Sequence, residues 1–251
     1  MKFILFLLLT NQILSMDLPL ENTAFLLEKG QKEIGICHPL RLGRTDKTEF
    51  SIHPILGFVI PNFKMKSKLS SSENLENAYF LKLTYPTPLL KMVQKKGIGG
   101  LIAEDPNFKP IPHLLVSELG VISTKIMKEK YYVSAFGSMA FTTGIGVVDE
   151  RITIDLPYFY PRMNMYNSDY TLISGLNFTG PLWRNIGFDF GASMRYTFGS
   201  DQNLAFEIRD NLFWQFKPNM KLLLGYDLYF AEYPFGNQWD LIPTIDLRYK
   251  W

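Results

Sequence analysis

The chain has 251 residues, of which 47% are hydrophobic and 15% aromatic, and its formal net charge is +2. A charge so close to neutral excludes bulk electrostatic attraction to nucleic acid as a main function. After Leu9 no apolar stretch approaches the roughly 20 residues that a transmembrane helix requires, which excludes a helical membrane protein. Apolar and polar residues alternate instead, as expected of β-strands.

The first fifteen residues predict a secretory signal peptide. Lys2 precedes an apolar run from Phe3 to Leu9, and a short polar stretch follows. This order matches the three regions of a signal peptide, and the apolar run is shorter than a membrane-spanning helix of about 20 residues. We expect residues 1–15 to be removed after Ser15, leaving residues 16–251 as one exported domain.

Strand patterns in the first half are separated by turn-forming residues. We predict strands over Glu33 to Leu42, Thr48 to Ile60, Ala78 to Tyr85, Leu114 to Met127 and Tyr131 to Thr143. Pro54 weakens the second of these as a regular strand, because proline removes a backbone donor from the ladder. The single cysteine, Cys37, excludes an intrachain disulfide and is expected to pack as a small wall or interior residue.

The second half carries the clearest alternation. Further strands are predicted over Tyr170 to Thr179, Ile186 to Thr197, Leu204 to Phe216, Lys221 to Tyr233 and Leu241 to Trp251. In the segment beginning at Ile186, one face is apolar and aromatic, and the other carries glycine, serine, threonine and one charge of each sign. Small polar residues on one face suit the inside of a narrow closed barrel. Turns are expected at Arg184-Asn185, at Pro218-Asn219 and at Lys128-Glu129-Lys130.

Together these patterns predict an all-β, antiparallel, up-and-down transmembrane barrel. The segments above give about ten strands, and the count rises to about twelve if Phe63 to Leu69 and Arg151 to Tyr160 are also strands. One long segment, Pro86 to Pro112, interrupts the pattern, and its middle predicts two helical turns that end at Gly97. It either folds into the mouth of the barrel or caps it.

The signal peptide, the alternating strands and the terminal Tyr249-Lys250-Trp251 together resemble a Gram-negative outer-membrane β-barrel of an uncharacterised family. The resemblance implies an outer-membrane location and contact with membrane lipid. It also implies recognition by the barrel assembly machinery. A final strand that ends in an aromatic residue is similar to the signal that this machinery reads. Leu247, Tyr249 and Trp251 occupy the corresponding places here.

Charged residues of alternating sign fall on the face predicted to line the lumen. In a narrow barrel, facing charges either pair and fill the interior or line a weakly selective pore, and the small number of strands favours a filled interior. These residues are Glu33, Arg41, Glu49, Asp189, Arg195, Glu207, Arg209, Asp227, Asp246 and Arg248.

Catalytic and metal-binding patterns are sparse. His53 lies two residues from Ser51, so the two side chains share one face of a strand, and such a pair is the minimal start of a lipid hydrolase. His38 is expected to approach His53 across a hairpin. The three histidines and one cysteine lack the spacing of zinc sites, so no metal and no cofactor are predicted.

Three functional hypotheses follow from the sequence. The first is a non-enzymatic, porin-like outer-membrane barrel, either a narrow channel for small solutes or a structural surface protein. The second is a membrane-embedded lipid hydrolase that uses His53 and Ser51. The third is a soluble exported barrel that binds a hydrophobic ligand, which requires apolar residues to face inward and charges to face outward.

Overall fold

The computed structural model describes residues 16–93, 111–128, 130–145, 157–168, 170–199, 203–233 and 236–251. The predicted signal peptide, residues 1–15, lies outside these ranges. The described residues form a closed antiparallel barrel in which each strand pairs with its neighbours in sequence and the first strand pairs with the last, confirming the predicted fold class. The strands are β1 (Lys32–Gly35), β2 (Leu40–Thr45), β3 (Thr48–Ile52), β4 (Asn62–Ser71), β5 (Leu75–Thr84), β6 (His113–Met127), β7 (Tyr131–Ile145), β8 (Tyr170–Trp183), β9 (Ile186–Thr197), β10 (Leu204–Lys217), β11 (Met220–Tyr233) and β12 (Gly236–Lys250).

Two short helices accompany the strands. Helix α1 spans Thr87–Val93 and helix α2 spans Tyr160–Asn167, and a 3-10 turn occupies Leu56–Phe58. Helix α1 overlaps the predicted helical part of the long loop but begins earlier, at Thr87, and the expected helix end at Gly97 lies outside the described residues. Within the described ranges, no helix has both the length and the apolar character needed to cross a membrane.

The strand register separates an apolar outer face from a polar inner face. In the β9–β10 pair, Phe188 lies opposite Leu212, and the next residues, Asp189 and Asn211, lie opposite each other. Successive side chains of a strand point to opposite faces, so the first pair faces outward and the second inward. Leu176, Leu212, Leu224, Leu241 and Ile245 are among the exposed outer residues.

Strand length divides the barrel wall into a tall part and a short part. Strands β4 to β12 contain between 10 and 15 residues each. Strands β1, β2 and β3 contain 4, 6 and 5 residues. We call these three strands the short corner.

The described residues form twelve strands, the upper end of the predicted range, and the short corner accounts for one of the two strands beyond ten. The single strand predicted over Glu33 to Leu42 is wrong, because the chain bends between Gly35 and Leu40, where Pro39 interrupts pairing. The strand predicted from Thr48 to Ile60 ends at Ile52 for the same reason, since Pro54 follows.

The two segments whose status was open have different outcomes. The Phe63 to Leu69 segment is indeed a strand and forms most of β4. In Arg151 to Tyr160, the first six residues lie outside the described ranges, and the rest form a turn and the start of α2.

The short corner leaves one edge of β12 without a strand beside it. Within the described residues, β1 pairs with β12 only from Arg248 to Lys250, while β11 pairs with β12 along its whole length. The backbone N–H of Lys250 donates to the carbonyl of Asn219 at 2.9 Å. Hydrogen-bonded pairs alternate along an antiparallel ladder, so the Pro243 nitrogen points away from β11. A proline is tolerated there because that edge needs no donor.

The two ends of the barrel differ in their connections. Tight turns at residues 46–47, 184–185 and 218–219, and the turn that contains Lys128 and Lys130, lie at the end where the chain finishes at Trp251. We call this end the turn end. The turns at Lys128, Arg184 and Pro218 confirm the sequence prediction. Lys128 and Arg184 adopt positive φ. The opposite end, which we call the loop end, carries the connections that contain the 3-10 turn, α1 and α2.

Candidate functional site: the charged interior

The ten charged residues predicted to line the lumen all lie on inward-facing strand positions. Most are buried, and Arg209 remains 36% exposed at its side chain. Seven of them form two groups at different heights. The first surrounds Arg41 near the turn end, and the second surrounds Glu207 near the loop end.

Arg41 is the centre of the first group and is fully buried. Its guanidinium makes a two-point contact with Glu49, with Nε 2.8 Å from Oε1 and Nη2 2.7 Å from Oε2. Its Nη1 lies 3.3 Å from Glu33 Oε1. Lys66 and Lys221 approach the same two carboxylates at 4.0 and 3.8 Å. A bidentate guanidinium–carboxylate pair is geometrically specific, so this group fixes how β1, β2 and β3 pack.

Glu207 is the centre of the second group and receives three arginines. Arg162, Arg195 and Arg209 lie 2.8, 2.9 and 3.0 Å from its carboxylate oxygens. Arg209 also reaches Asp227 at 3.1 Å, and Tyr229 donates to the other Asp227 oxygen at 2.9 Å. Because Arg162 belongs to α2, this group joins a loop helix to the barrel wall.

The remaining predicted lumen residues form separate pairs. Asp189 accepts a hydrogen bond from Asn177 Nδ2 at 2.8 Å. Arg248 contacts Asp246 at 2.8 Å, and the second Asp246 oxygen accepts the backbone N–H of Cys37 at 3.0 Å. The Cys37 thiol itself is free and exposed, although the sequence predicted a packed residue.

The N-terminal segment, residues 16–31, occupies the turn end of the lumen. Asp17 lies 3.1 Å from Lys221 Nζ and 3.0 Å from Lys250 Nζ, and its backbone N–H donates to Gln215 at 2.8 Å. Leu18 packs against Phe213 and Leu223 in a buried cluster. These side chains come from β10, β11 and β12, so the segment begins against the wall built by the last three strands.

The same segment then crosses to the opposite wall. Lys66 Nζ donates to the carbonyls of Leu20 and Thr23 at 3.2 and 3.1 Å. The backbone N–H of Ala24 donates to Thr124 Oγ1 at 2.7 Å, and that of Leu27 to Glu49 Oε2 at 2.9 Å. Buried backbone groups need such partners, and the inward polar side chains supply them. We call residues 16–31 the plug, because these contacts bind the segment to inward side chains of both walls.

His38 connects the plug to the wall through two carboxylates. Its Nδ1 lies 2.9 Å from Glu21 of the plug, and its Nε2 lies 3.0 Å from Glu33 of β1. Burial opposes ionisation of Glu21, but His38 and Arg248 outweigh it and hold the pKa of this carboxyl well below its ordinary value. Glu21 is therefore a charged contact of the plug.

At the loop end, apolar residues of α1 and α2 enter the barrel. Leu89 and Leu90 of α1 and Met163 and Tyr166 of α2 share one buried cluster with inward residues of β6, β7 and β8, including Leu114. Burial raises the pKa of Tyr166 to about 12. Of the two possibilities for the long loop, its described helical part thus folds into the mouth.

The candidate hydrolase pair is not joined by a hydrogen bond in the described structure. The backbone N–H of Leu56 donates to His53 Nδ1 at 3.2 Å, and His53 Nε2 lies 3.2 Å from the carbonyl of Cys37. Both ring nitrogens thus face backbone groups rather than Ser51. His38 does not meet His53, because its ring turns into the lumen. The lipid hydrolase stays a prediction from sequence.

No group of three or more potential metal-ligating side chains lies together within the described ranges. The interior charged groups contact one another and the plug. Within the described residues, the chemistry of the site therefore consists of ion pairs and hydrogen bonds.

Several interior residues were missed by sequence reasoning. The plug carries no periodic pattern, so Asp17 and Glu21 gave no signal. Strand β4 did carry one, because Lys64, Lys66 and Lys68 alternate with Phe63, Met65 and Ser67. An alternating lysine series is as regular as the apolar alternation used elsewhere, and it marks an inward cationic face.

Comparisons with known proteins identify no family for this chain. No family model matches the chain, and no curated protein matches it. A solved structure described as a bacterial polysaccharide outer membrane secretin is similar at 8% sequence identity with a TM-score of 0.45, covering 88% of this chain and 69% of the other. A similarity at this level has no bearing on function.

Proposed function

We propose that the chain is a non-enzymatic outer-membrane β-barrel that forms a narrow channel for small solutes, and that its plug holds the channel closed. The observation that carries this proposal is the combination of an apolar outer face with a charged lumen into which the chain's own N-terminal segment is bound. An apolar band on the outside and polar residues inside are the pattern of barrels that span membranes.

The orientation of the side chains also separates two of the sequence hypotheses. A soluble barrel that binds a hydrophobic ligand requires apolar side chains to face inward. Here the exposed large hydrophobic residues lie outside, and the charges lie inside. This arrangement is the reverse of the one that the soluble hypothesis requires.

The C-terminal strand supports recognition by the barrel assembly machinery. Tyr249 and Trp251 stack with ring centroids 5.3 Å apart, and both rings are exposed on the outer face. Leu247 is the third residue of the same outward series. Aromatic residues at the end of a strand suit the boundary between lipid and water.

A reversible disulfide across the plug tests the channel proposal. Ala24 and Thr124 are in contact, so Ala24→Cys with Thr124→Cys, in a Cys37→Ser background, places two thiols together. We expect low conductance in planar bilayers when the disulfide is formed and higher conductance after reduction. Each single-cysteine variant is the control and is expected to be insensitive to reductant.

Absence of conductance in two variants would contradict the channel proposal. If neither the reduced double variant nor a variant lacking residues 16–26 conducts, the channel is excluded. A structural role in the outer membrane then becomes the better account.

A further inference from the structure

Several inward cations keep exposed surface in the middle of the barrel, whereas most inward carboxylates are buried. The inward carboxylates of Glu33, Glu49, Glu118, Asp189, Glu207, Asp227 and Asp246 are all buried. In contrast, Lys82 keeps 47% of its side chain exposed and Arg209 keeps 36%, and Lys64 is partly exposed. The carboxylates that depart from this trend are partly or fully exposed and lie in the plug or towards strand ends: Asp17, Glu21 and Glu28 of the plug, Glu76 of β5 and Asp240 of β12. Glu21 contacts His38, and Asp240 accepts a hydrogen bond from Gln238.

Lys64 and Lys82 form an unusual cross-strand pair. They lie directly opposite each other in the β4–β5 ladder, and both face inward. Residues at opposite positions have Cβ atoms about 5 Å apart, and like charges placed there destabilise a sheet. We call these two residues the lysine pair.

The lysine pair has too few carboxylate partners. Glu118 lies 3.4 Å from Lys82 Nζ, and its other oxygen accepts a hydrogen bond from Ser138. Among the described residues, no carboxylate lies within 4.0 Å of Lys64 Nζ, which sits 4.9 Å from the centre of the Phe80 ring. Lys66, two residues along the same face, is by contrast fully occupied by Glu49 and the plug. Within the described residues, one ammonium of the pair is therefore without a carboxylate in direct contact.

The position of the pair adds a second argument. Lys64 lies opposite Ser51, the last residue of β3 that pairs with β4, so the pair lies where the short corner ends. Ser51 therefore also faces inward and carries a hydroxyl at the position opposite Lys64. Two ammoniums and one hydroxyl on neighbouring strands match the acceptor oxygens of a compact oxyanion.

We propose that the lysine pair, with Ser51, is a binding site for an oxyanion group, either a phosphate or a carboxylate, inside the barrel. The site would exist whether or not the barrel conducts, so it goes beyond the proposed channel. The same chemistry is found in free inorganic phosphate and in the headgroup of an anionic lipid. The experiment below distinguishes these two sources.

The test is calorimetric titration of the refolded full-length mature chain in zwitterionic detergent at low salt, with inorganic phosphate as the probe. We expect saturable binding that weakens at least about tenfold in Lys64→Gln with Lys82→Gln, because two charge-assisted hydrogen bonds are lost. The matched control, Lys47→Gln with Lys130→Gln, removes the same charge from two exposed turn lysines and should bind as the parent does. Parallel titrations with short-chain phosphatidic acid and short-chain phosphatidylcholine separate a lipid headgroup from free phosphate.

Several outcomes would overturn the proposal. The first is that the parent shows no saturable binding of either phosphate or phosphatidic acid. The second is that the lysine-pair variant binds as tightly as the parent. The third is that the control variant loses as much affinity as the lysine-pair variant. A melting experiment guards against misfolding, since phosphate should raise the melting temperature of the parent and of the control but not of the lysine-pair variant. A barrel that binds phosphate but never conducts would reject the channel and keep the site.

Discussion

The tall wall and the short corner are stabilised by different interactions. In the tall wall, strands of 10 to 15 residues pair continuously, and backbone ladders with cross-strand apolar contacts hold them together. In the short corner, strands of 4 to 6 residues make few ladder bonds, and a buried ion network with the plug replaces them. A barrel can thus contain a few short strands if charged side chains inside it bind a segment of the same chain.

The largest expected effect is the loss of Arg41 from the short corner. Arg41→Met leaves Glu33 and Glu49 buried with fewer counter-charges, and removing one partner of a buried ion pair costs about 3–5 kcal/mol. The measurement is urea unfolding of the barrel in lipid vesicles. Arg44→Met, an exposed position on the same strand, is the control, and equal stability of the two variants would contradict the role of the network.

A charge on the outer face of the tall wall should be the next most harmful change. Leu224 is 51% exposed on that face, and an arginine on the lipid side of a barrel costs about 2–4 kcal/mol near the membrane centre. We expect Leu224→Arg to lower the unfolding free energy in vesicles by this amount and to have much less effect in detergent with a hydrated surface. Leu224→Ala is the control for lost volume.

A methyl group added at Gly43 should separate the plug from the short corner. A Cβ at this position would lie 2.0 Å from the carbonyl oxygen of Glu28 and 2.7 Å from that of Leu27. Both atoms are backbone, so the plug must shift, and overpacking of this kind costs about 1–3 kcal/mol. Gly137→Ala, where a Cβ meets nothing within 4 Å, should be nearly neutral in the same unfolding assay. Similar losses at both glycines would argue that the plug is not held at this point.

The smallest effect is expected at the open edge of β12. Pro243→Ala adds a backbone donor on the side where β12 has no neighbouring strand among the described residues. We expect a change within about 0.5 kcal/mol, as for surface substitutions. A clear gain in stability would mean that another strand pairs with this edge.

The tall wall was predictable because its chemistry is periodic. In β9 and β10 the face of a residue follows from its parity, and the register of the two strands agrees with the apolar pattern. The inward charges followed from the same parity.

The short corner and the plug were not predictable in the same way. Pro39 and Pro54 break strands, but alternation continues through both prolines, so the sequence pattern runs past the structural ends. The plug carries no periodicity, and its contacts join residues such as Asp17 and Lys250 that are distant in sequence. The His38 side chain points into the lumen because the chain bends at Pro39. In a continuous strand the same side chain would point to the outer face.

The central claim is that the apolar face of a closed wall faces lipid and the charged face encloses the lumen. Ala192 and Ser193 are adjacent on β9, small, and on opposite faces. Each is replaced by cysteine in a Cys37→Ser background and labelled with a fluorescent nitrobenzoxadiazole. The fluorescence of the label is then measured in vesicles that contain spin-labelled lipid, which quenches it. The account predicts strong quenching by the lipid at position 192 and little at position 193. Equal quenching at the two positions, or stronger quenching at 193, would contradict it.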